Sequence, residues 1–136
     1  MNGIAENNTD TARRIERLLF ALSIIWYCWF LTPLPNWNIM SRVALSSSIV
    51  LDHKLDIDRY RAYTGDIACF KDHFYSDKAP GSSWMALPPL TAYSFKFIVE
   101  PKNPWQVFLM TLFAVSIPSA LLTVLLFRFI YTIGGN

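Results

Sequence analysis

The residues equipped for chemistry crowd into one stretch of the chain. Between positions 52 and 78 lie the carboxylates Asp52, Asp56, Asp58, Asp66, Asp72 and Asp77 and the cations Arg59, Arg61, Lys71 and Lys78. Tyr60, Tyr63, Phe74 and Tyr75 are interleaved with them, and Trp84 follows. A solvated loop with charges paired at its surface would have the same composition. The run from His73 to Trp84, HFYSDKAPGSSW, is more pointed. It sets Asp77 beside Lys78, then a Pro-Gly turn, then an apolar segment that reads as a helix. A lysine just ahead of a helix start can bind an anionic lipid headgroup, because the ammonium supplies charge and the free helix N–H groups supply donors. The adjoining carboxylate can hold a divalent cation or take a proton. Such an arrangement suits a phosphate arriving from within a bilayer.

Other reactive side chains give less. His53 and His73 are isolated in sequence and are not expected to be metal ligands. Cys28 and Cys69 form no CxxC or Cys/His pattern and read as small apolar residues, unbridged. No nucleic-acid partner is expected.

The elements that would position these groups are apolar. Of 136 residues, 53% are hydrophobic and only 16% charged, which excludes a disordered chain and argues against an ordinary soluble globule. Two stretches carry no charge at all, residues 18–41 and 104–127. A bilayer core about 30 Å thick needs about 20 apolar helical residues. Pro33 and Pro35 are expected to end the first helix near Leu31 or Thr32. Pro118 is expected to kink the second. Arg13, Arg14 and Arg17 ahead of the first span resemble a signal-peptide n-region, but no small-x-small cleavage site follows, so an uncleaved span is expected.

The expected fold is therefore an all-α integral membrane protein with two transmembrane helices and an outer loop. Its expected parts are a cytoplasmic tail (1–14), a first span (15–34), an extracytoplasmic loop (35–103), a second span (104–128) and a cytoplasmic end (129–136). The basic flanks, including Arg128, place both termini in the cytoplasm of an inner-membrane protein. Within the loop, Met40, Val43, Ala44, Ser47, Val50 and Leu51 recur at helical spacing, predicting an interfacial helix that Ser41 could cap. Leu55-Asp56-Ile57-Asp58 hints at an extended piece. Thr64-Gly65-Asp66, Lys71-Asp72-His73 and Ala79-Pro80-Gly81 supply turns. Pro88 and Pro89 fit the first turn of a second interfacial helix.

The run from Leu55 to Leu87 closely resembles the first outer loop of GT-C type membrane glycosyltransferases. These include the dolichyl-phosphate-mannose:protein mannosyltransferases and the bacterial lipid A aminoarabinose transferases. The matching pieces are Ile57-Asp58 with Tyr60, then Thr64-Gly65-Asp66, then Phe74-Tyr75-Ser76-Asp77-Lys78-Ala79-Pro80-Gly81, then Leu87-Pro88. Ser41-Arg42 resembles the family's arginine after the first span.

The resemblance implies a polyprenyl-phosphate sugar as donor and sugar transfer on the extracytoplasmic face. It implies that Lys78 contacts the donor phosphate and that Asp77 serves as an active-site acid or ligates a divalent metal ion. Arg42, Arg59 and Tyr75 are the further substrate-binding candidates. Many relatives carry a catalytic acid a few residues before the arginine. Here that segment reads Asn36, Asn38, Ile39, Met40, with no acid. Asp58 or Asp66 could take its place, or the base lies elsewhere. Such enzymes have many spans, so this chain is expected to be their N-terminal part, inactive alone, with the remainder of a split or truncated transferase as partner beside the lipid bilayer. The competing expectation is a non-enzymatic two-span protein whose outer loop binds a partner.

Overall fold

The computed structural model describes residues 2–29 and 36–134. These fall into two compact units, one drawn from residues 1–30 and 116–136 and the other from residues 31–115. The expected end of the first span, at Leu31 or Thr32 with Pro33 and Pro35, lies outside the described residues.

In the first unit, helix α1 (Asn2–Trp29) packs along helix α6 (Ile117–Gly134). The Arg128 guanidinium grips the Glu16 carboxylate with two bonds, Nε to Oε1 and Nη2 to Oε2, each 2.7 Å. The fork geometry of arginine matches both carboxylate oxygens, which sets one helix against the other.

The second unit is built around α2 (Trp37–Ser47). Asn36 caps it by accepting from the Ile39 N–H at 3.0 Å, so the cap is Asn36 rather than Ser41. A wide π turn (Ser48–Asp52) follows and ends at His53 in the left-handed region, φ 55°. The stretch expected to be extended, Leu55–Asp58, forms no strand, and a 3-10 helix (Asp58–Tyr63) begins at its last residue. Strands β1 (Ile67–Phe70) and β2 (His73–Ser76) pair antiparallel, Ile67 opposite Ser76 and Phe70 opposite His73. Two short helices, α3 (Gly81–Met85) and α4 (Leu87–Ser94), and the capped α5 (Pro104–Thr111) complete the unit. Pro88 and Pro89 do sit in the first turn of α4, where missing N–H groups cost nothing.

Three expectations are corrected. Helix accounts for 72% of the structure, but the fold is not all-α, because the loop contains a β-hairpin. Its two-residue turn, Lys71-Asp72, takes positive φ at both positions (51° and 62°), the twist that lets two strands fold back on each other. The helix from Trp37 does not lie as an interfacial ribbon with one wet face. Met40, Ser41 and Val43 through Ser48 are all buried, so α2 is the core of its unit. One side packs Val43 with Ala86, Leu90, Val107 and Met110. The other packs Ala44 and Leu45 with Ile57 and Tyr60.

Finally, among the described residues one helix, not two, is long and apolar enough to cross a membrane: Pro104–Gly134, 31 residues. It comprises α5, a π turn (Leu112–Ser116) and α6. Pro118 cannot donate to the Ala114 carbonyl, and the backbone widens just before it. Most of its apolar side chains are exposed, Leu121, Leu122, Leu125 and Phe129 among them, unlike those of a soluble core helix. Helix α1 falls short because Arg13, Arg14, Glu16 and Arg17 lie within it. Its uncharged part, residues 18–29, would span only about 18 Å.

Candidate functional site

Three pieces of sequence meet on the polar side of α2. The first is Ser41 on the helix, the second Thr64-Gly65-Asp66, and the third Ser76-Asp77-Lys78 after β2. Thr64 holds the second piece down, its hydroxyl donating to the Trp37 carbonyl at 2.9 Å and accepting from the Asp66 N–H at 3.1 Å. Gly65 is required there by the Trp37 ring. A Cβ on Gly65 would come within 2.8 Å of that ring. Ser41 Oγ lies 2.7 Å from the Asp66 carbonyl oxygen and 2.8 Å from Ser76 Oγ, so the helix joins the other two pieces.

Lys78 sits where they meet. Its ammonium is 3.0 Å from Asp66 Oδ2 and 3.2 Å from Asp77 Oδ2. These side chains are 23% (Lys78), 26% (Asp66) and 37% (Asp77) exposed, shielded but open to a ligand. The bonds from Asp66 and then Asp77 hold the Lys78 ammonium above the ordinary lysine value, so it stays charged at neutral pH. Two carboxylates around one ammonium leave a single net negative charge.

The other candidates lie apart from this cluster. Asp58 is fully engaged elsewhere, taking His73 Nδ1 on one oxygen and the Phe74 N–H on the other, both at 2.7 Å. The His73 bond, followed by that from Phe74, lowers its carboxyl below 3.8. The same contact raises His73 above 6.5. Arg59 pairs with Asp52 at 2.8 Å. Tyr75 lies on β2 opposite Ala68, half-buried. Ile57 and Tyr60, which carried part of the family resemblance, are core residues, and burial pushes the Tyr60 phenol up to about 12.

Arg42 occupies a different face of α2. Its guanidinium folds back onto the side-chain and main-chain oxygens of Asn38. It lines a groove of about 410 Å³ whose walls are mainly Ile39, Val43, Ala86, Met110, Ala114 and Val115, with Ser46, Ser82 and Ser83 adding hydroxyls.

The divalent ion was expected at Asp77. The position a cation would take between Asp66 and Asp77 is filled by the Lys78 ammonium. The described group with metal-ligating potential is instead Asp56, Asp58 and His73, whose ligand atoms lie within 4.8 Å of one another, mostly exposed. His73 was not expected in such a group, because sequence spacing does not reveal that the hairpin returns it to Asp58.

Ser41, Ser76 and Thr64 are the site residues that sequence reasoning missed in these roles. Only the adjacency of Ser41 to Arg42, and of Ser76 to Asp77, hinted at them. Cys28 and Cys69 are both free thiols, Cys69 exposed on β1 rather than packed away. No family model, curated protein or solved structure matches the chain.

Proposed function

We propose that this chain is the donor-phosphate-binding, N-terminal segment of a membrane glycosyltransferase. The reaction would move a sugar from a polyprenyl phosphate to a hydroxyl acceptor on the extracytoplasmic face. The observation that carries this reading is the Lys78 ammonium held between Asp66 and Asp77, where separated motif pieces converge. A long apolar helix in the same chain supports a lipid-borne substrate. In this reading the apolar helix Pro104–Gly134 crosses the inner membrane and the Lys78 site faces the extracytoplasmic side.

The chemistry is substitution at the anomeric carbon. The acceptor oxygen forms the new bond as it loses its proton to a base. The phosphate leaves with the electrons of the old bond and needs a cation to receive it. Lys78 is that cation, with Arg42 the second candidate. Asp66 is the preferred base because it already stands 3.0 Å from the ammonium that would receive the phosphate. Further spans, supplied by the rest of the enzyme, would complete the acceptor side, so transfer requires them.

The test is binding of undecaprenyl phosphate to the full chain in phosphatidylcholine nanodiscs, followed by native mass spectrometry. Lys78→Ala is expected to weaken binding by about tenfold or more, the loss of one charge-assisted contact. Unchanged affinity would sink the phosphate assignment and favour an outer loop that merely binds a protein partner.

A further inference from the structure

The hydrogen bonds beneath Lys78 form a chain whose proton directions can be worked out from its two ends. The Lys78 main-chain N–H can only donate, and its partner is Ser76 Oγ at 3.3 Å. The Asp66 carbonyl can only accept, and its partner is Ser41 Oγ at 2.7 Å. Ser41 has one hydroxyl proton, and the carbonyl takes it. The 2.8 Å contact between the two hydroxyls must therefore run from Ser76 to Ser41. The order is Lys78 N–H to Ser76, Ser76 O–H to Ser41, Ser41 O–H to the Asp66 carbonyl. The two ends of this chain belong to residues that also meet through their side chains, Lys78 Nζ on Asp66 Oδ2. The result is a closed ring of contacts with Ser41 as the member on the helix.

Ser41 is fully buried, with no exposed surface. The far end of the motif loop is fastened to the same helix. Ser83 on α3 donates to the Arg42 carbonyl at 3.1 Å, and Ser46 Oγ lies 3.2 Å from the Ser83 carbonyl. The segment Asp77–Pro80, which belongs to no strand or helix, is thus suspended between hydroxyl contacts to α2.

We propose that Ser41 is a positioning residue of the Lys78 site: its hydroxyl registers the Thr64-Gly65-Asp66 turn against the Ser76-Asp77-Lys78 segment, and so holds the ammonium between its two carboxylates. This deepens the donor-phosphate reading of the same site, and it rests on that reading only for the identity of the ligand. Removing the hydroxyl leaves the Ser76 O–H without its acceptor and the Asp66 carbonyl without its donor. Both flaws fall beside Lys78.

The test uses no ligand. The full chain in detergent micelles is exposed to a limiting amine-reactive ester, and modification of each lysine is followed by peptide mass spectrometry. Lys54, Lys71, Lys96 and Lys102, all exposed, are internal references. Ser41→Ala is expected to speed modification of Lys78 about five- to tenfold, the loss of about one buried hydrogen bond, while the reference lysines keep their rates. Ser76→Ala, at a half-buried position, breaks the same chain at its next link should the first variant fold poorly. The double variant is expected to gain no more than either single one, since each alone opens the ring. An unchanged Lys78 rate in folded protein, additive effects of the two variants, or an equal rise at every lysine would each overturn the proposal. In the nanodisc experiment Ser41→Ala is expected to weaken undecaprenyl phosphate binding. Wild-type chain that fails to bind defeats the phosphate reading, and leaves the positioning role to be decided by the modification rates.

Discussion

Charge counting at Lys78 leads to a prediction that runs against the usual expectation for an active-site acid. Asp66 and Asp77 around one ammonium give the site a net negative charge, yet its proposed ligand is an anion. Asp66→Asn removes one negative charge while keeping an oxygen that accepts from the ammonium. It also keeps the Ser41 contact, which is made to the Asp66 main chain. Nζ stands 3.0 Å from Asp66 Oδ2, and a phosphate oxygen on the other side of the ammonium adds about 3 Å. The removed charge therefore lies about 6 Å from the ligand. With an effective dielectric of about 50 for a shielded but open site, the repulsion relieved is about 1 kcal/mol. That corresponds to about fivefold tighter binding of undecaprenyl phosphate at low ionic strength. At about 0.15 M salt the screening length is about 8 Å, which halves the energy and leaves about a twofold gain.

The assay is equilibrium binding to the full chain in nanodiscs at both salt concentrations. Sugar transfer by a complete enzyme would move the opposite way, falling if Asp66 is the base. Weaker phosphate binding by Asp66→Asn at low salt would refute the charge argument. It would mean that Asp66 helps the anion, as it would by recruiting a divalent cation of its own.

Two further outcomes test the scaffold. Leu90 is fully buried among Val43, Ala86, Val107 and Met110, tying α4 to α2 and α5. Its helix is short and stiffened by Pro88-Pro89, so collapse is limited and Leu90→Ala should cost about 3–4 kcal/mol in denaturant titrations of the full chain; a loss below about 1 kcal/mol would contradict this packing. The Asp58–His73 pair should make stability depend on pH. The Asp58 contribution is present above 3.8 and is lost as pH falls through its lowered value. That of His73 is present below 6.5 and is lost as pH rises through its raised value. The difference in Tm between wild type and Asp58→Asn should thus peak between those two values, and an equal difference at pH 5 and at about pH 9 would rule out this coupling.

Some of this architecture was legible in the residues, and the exceptions have physical causes. The proline pair starting α4 could be read locally, because it depends on backbone preferences of adjacent residues. The depth of α2 could not. Ser41, Ser46 and Ser48 fall off the helical face shared by Met40, Val43, Ala44 and Ser47, and as polar residues they suggest a wet side. All four serines are buried because each hydroxyl finds a partner on another segment or on its own helix: Ser46 reaches the Arg42 carbonyl and Gln106 Nε2 reaches Ser47. The hairpin escaped notice because four-residue strands carry too little alternation, and its turn uses Lys and Asp where glycine or asparagine is the usual signal. The motif residues Asp66, Asp77 and Lys78 could be named from sequence, but not their convergence. That depends on α2, whose contribution is a serine hydroxyl.

The serine content of α2 has a consequence for the site. Residues 53–57, 64–66 and 77–80 lie in neither strand nor helix, and buried main-chain carbonyls in such segments have no ladder to bond them. A helix faced with leucine could cover them but could not satisfy them. Hydroxyls on the α2 side of the fold do both: Ser41 serves the Asp66 carbonyl and Ser48 the Asp56 carbonyl. In return Thr64 and Ser83 satisfy the carbonyls of Trp37 and Arg42 on α2. Each bond fixes a loop at one residue and in one direction, whereas apolar contact would let it slide. For a site that must hold an ammonium within 3.2 Å of two carboxylates, that directional hold matters more than the apolar area the helix gives up.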